Sequence, residues 1–259
     1  MDYKNAGRLC RELNRGRYLR SFSILLYSLF MTAFFALLPS ALLKLSEAVG
    51  LTTALDGING LLHPLLVSIV FAAAALRAFT VSSAVSVGEK AWYSGRLSGG
   101  NSGKRLRYWF SPAHSFKALR LCSLLFLLKL MWSAVFLSPA LLFFSAVFAL
   151  AVNGGIELWL LVSLSSGGAV LLITGLVFRF ITVQRYFLAP YLMARNPRLG
   201  AAQCVRQSKN ILDGHIGEIV KFKLKFMPAF LLYPLIIPVI FLHPHYKQAC
   251  SVIAKEICL

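Results

Sequence analysis

Apolar residues run along the chain in long blocks separated by short basic stretches. Residues 21–45, 61–87, 121–152 and 158–187 form four such blocks. At 1.5 Å per residue each is long enough to cross a hydrocarbon core of roughly 30 Å as a helix. The pattern predicts an all-α fold, a polytopic transmembrane helical bundle with four full spans. A shorter apolar stretch, 226–242, contains Pro228, Pro234 and Pro238. It either crosses once or turns back near Pro234 to Pro238, and the expected form is a C-terminal helical hairpin whose polar last helix packs on protein. Residues 21–45 exceed the apolar region of a secretory signal and show no A-x-A cleavage pattern, so they are expected to remain as an anchor. The third block is long for one crossing, which predicts tilt or a break at Pro139. Asn153-Gly154-Gly155 predicts a tight turn.

The polar stretches set the orientation. Residues 1–20 hold six Lys and Arg, 88–120 hold seven and 195–217 hold four, whereas 44–60 and 152–158 hold only Lys44. Cations in short loops are retained in the cytoplasm, so the N-terminus and both later basic segments are expected inside. Lys4, Arg8, Arg11 and Arg15 recur at helical spacing with Leu9 and Leu13 on another face, which predicts an interfacial helix. The organisation is a single membrane domain, 1–259. It comprises a basic helix (1–20), spans one and two (21–87), a basic aromatic loop (88–120), spans three and four (121–194), an amphipathic helix (195–217) and the hairpin with its tail (218–259).

Composition strengthens this picture. Hydrophobic residues make up 58% and charged ones 14%, with a mean hydropathy of +0.71, outside the range of soluble domains. The 27 Lys and Arg against 9 Asp and Glu give a net charge of +18, which suits an anionic membrane surface. The five cysteines form no C-x-x-C pair or zinc spacing and read as small apolar residues.

Candidate chemistry is sparse. Arg77, Lys129 and Arg179 fall within spans, where a charge costs about 2.5–3.5 kcal/mol or more. All three lie toward the basic side and are expected to anchor by snorkelling, with Lys129 the best exception. Glu47, Asp56, Glu89 and Glu157 are placed at or beyond span ends, which argues against an ion-driven carrier. His215, His243 and His245 lack a diagnostic metal spacing. With no G-x-S-x-G, no H-E-x-x-H and no paired carboxylates, no catalytic residue, cofactor or metal is expected. Segment 88–120 joins Trp92, Tyr93, Tyr108, Trp109 and Phe110 to Lys104, Arg105 and Arg107. Such a set can stack on single-stranded nucleic acid. Between two spans it fits lipid headgroups better, and no nucleic-acid partner is expected.

Residues 186–215 read YFLAPYLMARNPRLGAAQCVRQSKNILDGH. This resembles the signature of domain-of-unknown-function family 975, uncharacterised multi-pass integral membrane proteins found mainly in Gram-positive bacteria. Tyr186, Ala189, Pro190, Tyr191, Ala194, Asn196, Pro197, Leu199, Ser208, Gly214 and His215 keep its spacing without a gap. Upstream, Leu130-Met131-Trp132 and Ser138-Pro139-Ala140 are similar to its Leu-Trp and Ile-Pro-Gly region, with Ala140 in place of Gly. His243-Pro244-His245 departs from its usual pattern. The resemblance implies a multi-pass fold with an internal C-terminus and implies no activity. The same residues also have a physical reading. Asn196 suits an N-cap, Pro197 the first helical position and Gly214 the stop, for a helix of about four turns. Leu199, Ala202, Val205, Ser208 and Leu212 share one side, with Arg206, Lys209 and Asn210 turned elsewhere, as in an interfacial helix.

The functional expectation is a non-catalytic binding or scaffold component of a bacterial inner membrane. Lys104, Arg105, Arg107, Trp109, Arg206 and Lys209 are its candidate contacts to anionic lipid or to a membrane or cytoplasmic protein partner. The alternatives are a permease-like subunit for a small solute or lipid, and a lipid-modifying enzyme with polar side chains clustered at one interface.

Overall fold

The computed structural model describes residues 18–48, 62–97, 102–152, 157–231 and 236–258. Residues 1–17 of the expected basic helix, residues 98–101, and the turns expected at 153–155 and at Pro234 lie outside the described residues. Among the described residues every regular element is helical: α1 (Tyr18–Ala48), α2 (Leu62–Leu97), α3 (Ser102–Tyr108), α4 (Pro112–Val152), α5 (Leu158–Val183), α6 (Ala189–Arg195), α7 (Ala201–Leu212), α8 (Ile216–Leu231) and α9 (Ile236–Ile257). A 3-10 turn, Gln184–Tyr186, follows α5. The protein is all-α.

Among the described residues, three stretches are long and apolar enough to cross a membrane: Phe71–Leu97 in α2, the whole of α4, and Trp159–Arg195 from α5 through α6. In α1 the apolar stretch among the described residues is shorter, Ser21–Phe34. Leu142, Phe148 and Ile173 point outward and are exposed, where a soluble protein would cover so much contiguous apolar surface. This is a membrane protein.

Two helices extend beyond the expected spans, so most of the segment expected as a loop over 88–120 is helical. Helix α2 runs ten residues past Val87, because Gly88 stays helical and gives up its side chain to packing. A Cβ there would lie 3.1 Å from Leu106 Cδ1 and 3.6 Å from Trp109 Cβ. Helix α4 begins at Pro112, nine residues before the expected start, with Ser111 O accepting from Ser115 N at 2.8 Å. Ser-Pro at that point is a helix-start signal, proline taking a position that needs no backbone N–H. Helix α4 continues through Pro139 without a break.

The chain forms two compact units. The first takes in α1 to α3, α4 as far as Cys122, residues 190–201 and the chain from Pro228. Here α1 and α9 both pack on α2. Ile24 meets Trp92, Tyr93 and Leu106, and Arg96 donates to Ser21 Oγ at 2.6 Å while its guanidinium lies 5.0 Å from the Trp92 ring.

The second unit holds α4 from Ser123, α5 with the turn after it to Ala189, α7 from Ala202 and α8 to Met227. Gly168 and Gly175 are seven residues apart on one face of α5, facing α4. A Cβ on Gly168 would press on the Phe143 and Phe144 rings, and one on Gly175 would fall on the Phe136 carbonyl. Small residues at such crossings let backbones approach, which is how helices associate in lipid. Trp132 Nε1 donates to Tyr186 Oη at 3.0 Å, and Phe136 stacks on Phe178 at 6.0 Å.

The expected Asn196 to Gly214 helix is shortened at its start. Asn196 N–H bonds back to Leu192 O at 2.8 Å, closing α6, and Asn196 O accepts from Leu199 N at 3.1 Å. Asn196-Pro197-Arg198-Leu199 is therefore a β-turn with proline at its second position, a geometry that Asn-Pro favours over an N-cap. Helix α7 starts only after Gly200 and makes about three turns. Its stop is as expected: Gly214 takes φ +97°, a left-handed conformation that costs glycine little. The buried side is Cys204, Ser208 and Leu212. Ala202, expected on that side, is exposed.

Candidate functional site

Cationic and aromatic side chains from separate stretches of sequence meet in the first unit around one cavity of about 650 Å³. Lys104 and Arg105 come from α3, Arg195 from the end of α6 and Lys255 from the last turn of α9. The sequence alone brought only the first two together. Tyr108, Trp109 and Tyr191 supply aromatic wall, and Leu97, Leu192 and Ala254 supply aliphatic wall. Among the described residues no acidic side chain lines the cavity. Lys255 Nζ donates to Leu97 O at 3.3 Å, so one of its protons already serves the end of α2. Cys258 also lines the cavity, and burial pushes its thiol up against the opposing pull of Arg195. It is a weak nucleophile in that state.

The sequence-derived candidates separate into three groups. Lys104, Arg105 and Arg107 are exposed on α3, and Arg206 and Lys209 are exposed on α7. Arg107 is not a lining residue. Trp109 departs from the expected headgroup contact: it is only 1% exposed, packed beside Gly88, with its ring 5.8 Å from Tyr108 and 6.1 Å from His114. Its size explains this, since a large apolar ring gains much from burial, and the missing side chain at Gly88 lets Leu106 and the Trp109 Cβ come close to α2. The motif residues are structural. Tyr186 takes the Trp132 hydrogen bond, Ser208 Oγ donates to Arg185 O at 2.8 Å, Pro190 begins α6 with Ala189, and Tyr191 is buried against the cavity.

Charges within the helices are also redistributed. Arg77 and Lys129 are exposed. Arg179, expected only to anchor, donates from Nε to Ser133 Oγ at 2.6 Å, a tie between α5 and α4. Lys223 of α8 bonds to Gln184 Oε1 and lies 4.7 Å from the Phe187 ring.

Glu89, expected at the end of a span, lies inside α2 and is 5% exposed. Lys247 of α9 meets it at 3.0 Å. Beside Lys247, fully buried Gln248 has neither amide atom hydrogen-bonded among the described residues, and the same holds for Tyr93 Oη one turn from Glu89. Among the described residues no group of three or more His, Cys, Asp or Glu is gathered as a metal site would need.

No curated protein and no solved structure matches the chain. A family model does, over residues 99–254, more than half of the length and all of the segment that carries the Tyr186 to His215 motif. The chain therefore belongs to the family described as "Protein of unknown function (DUF975)".

Proposed function

We propose that this chain is a non-catalytic component of a bacterial cell membrane, with its N-terminus and basic segments on the cytoplasmic side, whose cationic face binds anionic lipid headgroups and presents a docking surface to a protein partner. The observation that carries the reading is the convergence of Lys104, Arg105, Arg195 and Lys255 on one cavity with no acidic side chain among its described lining residues. Like charges repel at close range, so an anion within reach of these lining cations lowers the energy of the set. Exposed Arg107 of α3 adds a cation to the first unit, and α7 of the second unit carries its own exposed pair, Arg206 and Lys209. The 17 to 1 distribution of Lys and Arg between the two sets of connections supports the orientation.

The test is reconstitution in nanodiscs of mixed zwitterionic and anionic lipid, followed by gentle extraction and mass spectrometry of the retained lipid. Anionic lipid should be enriched over the input. The triple variant Arg105→Glu, Arg107→Glu, Arg206→Glu should lose that enrichment at low salt. Equal enrichment in the variant overturns the reading. For orientation, a Lys209→Cys variant in intact cells should resist a membrane-impermeant maleimide until the cells are opened.

A further inference from the structure

Neither α4 nor α5 contains an Asp or Glu, yet each carries a cation within the apolar block expected to span, Lys129 and Arg179. A charge in hydrocarbon costs free energy and is usually paired or drawn to water. Being drawn to water requires a side chain that can extend toward the interface. Arg179 is held back from that. Its Nε donates to Ser133 Oγ at 2.6 Å, which keeps the guanidinium in the groove between the two helices. Ser133 Oγ in turn donates to Lys129 O at 2.7 Å. Lys129 and Ser133 are four residues apart, so their side chains leave one face of α4 about 6 Å from each other. Two cations from different helices therefore flank one neutral hydroxyl. Among the described residues neither cation forms an ion pair, and Lys129 Nζ and both Arg179 Nη atoms make no hydrogen bond. Where water is scarce, charges act on each other with little screening, so an anion that reaches both cations gains from both.

The surroundings say where that anion comes from. Trp132 Nε1 donates to Tyr186 Oη, and Trp and Tyr with their polar tips concentrate at the headgroup level of a bilayer. Counted along the helices, that level is about 5 Å from Lys129 and about 10 Å from Arg179. A headgroup phosphate can reach both. Leu130 and Leu176, three residues from Ser133 and Arg179 respectively, are exposed on the same faces and offer acyl chains an apolar surface. We infer that the groove at Lys129, Ser133 and Arg179 is a binding site for the phosphate of one anionic phospholipid of the surrounding bilayer. The Nη donors of Arg179 pair with phosphate oxygens, and Lys129 adds a point charge. A zwitterionic lipid would bring a cation of its own beside these two and bind less well. All of these residues belong to the second unit and none lines the cavity of the first, so the site does not rest on the reading above.

Native mass spectrometry of the full chain tests this, in nanodiscs of phosphatidylcholine with a minority of phosphatidylglycerol of the same acyl chains. One phosphatidylglycerol should stay on each chain through a wash at about 0.5 M salt, because charges away from bulk water are screened little. It should be held about tenfold more tightly than phosphatidylcholine. Lys129→Gln changes an exposed side chain and should weaken retention several-fold with the melting temperature unchanged. Lys129→Gln with Arg179→Gln should abolish the preference, whereas the charge-keeping pair Lys129→Arg, Arg179→Lys should keep most of it. Arg77→Gln, at an exposed cation of a span in the first unit, should change nothing. Equal retention of the two lipids, or a preference that survives Lys129→Gln and the glutamine pair, overturns the inference. The triple variant at Arg105, Arg107 and Arg206, which tests the cationic face at low salt, should still hold this one lipid at high salt. Its loss there would overturn the inference and leave the cationic-face reading standing.

Discussion

The two units solve opposite packing problems. In the second, α4 and α5 are largely apolar, and beside the Arg179 to Ser133 hydrogen bond what brings them together is an absence of atoms: Gly168 and Gly175 let the Phe143, Phe144 and Phe136 positions close in. In the first, α1, α2 and α9 carry buried polar groups, and charge and hydrogen bonding bring them together: Glu89 with Lys247, Arg96 with Ser21, Lys255 with the end of α2. A helix in lipid gains little from burying one more leucine, because lipid is as apolar as the partner helix. Close backbone contact suffices where a helix pair only has to persist. Polar contacts fix one arrangement among many, and in the first unit they include a buried ion pair between two of the helices that line the cavity.

The sharpest way to break this contrast is to remove one partner of the buried pair. Lys247→Ala leaves the buried Glu89 carboxylate without its ion-pair partner, and equilibrium unfolding in detergent should show a loss of about 3–5 kcal/mol. Replacing both, Glu89→Leu with Lys247→Leu, should recover most of it, since a well-packed apolar pair is close to neutral. A loss below about 1 kcal/mol in the single variant would mean that solvent reaches Glu89 and that polar contacts do not organise this unit. Next in size is Gly175→Ala, whose methyl would meet backbone at Phe136. About 1–3 kcal/mol is expected from such overpacking. Gly167→Ala is the control on the same helix, because its nearest neighbour would be Phe143 at an ordinary 3.9 Å. If the two glycines respond alike, close approach is not what joins α4 to α5.

What the sequence reveals divides along the same line. The apolar hairpin of α4 and α5 is legible because its information is local: block length, Asn153-Gly154-Gly155 between the blocks, and basic residues beyond them. The family is legible too, since Tyr186 to His215 is one unbroken stretch. The cavity is not, because Arg195 and Lys255 lie far from Lys104 and Arg105 in sequence, and nothing in the spacing of residues along α9 announces that its last turn meets the end of α2. Trp109 and Glu89 were misplaced for a related reason. A stop at Val87 is the natural reading of Gly88-Glu89-Lys90, but the helix continues because residues nearly 20 and 160 positions away, Leu106 and Lys247, occupy the space beside it. Asn196-Pro197 shows a local signal with two outcomes. It suits an N-cap or a β-turn, and Gly200, three residues after the proline, tips the choice by delaying the next helix.

The smaller tests concern α7, where the two strategies coexist on one short helix. Ser208→Ala removes the hydrogen bond to Arg185 O and should cost about 1 kcal/mol. One turn earlier, Cys204 is fully buried, and burial pushes its thiol from 9.0 up to about 11. The folded state therefore prefers the neutral thiol, and the sign follows. This contribution to stability is complete below pH 9 and is lost as the pH rises toward 11, because the unfolded chain ionises first. Maleimide modification of Cys204, followed by peptide mass spectrometry so that the other cysteines do not interfere, should be slow at neutral pH and continue to accelerate beyond pH 9. A plateau already at pH 9 would mean that Cys204 faces solvent and that α7 lies on the second unit through Ser208 and Leu212 alone.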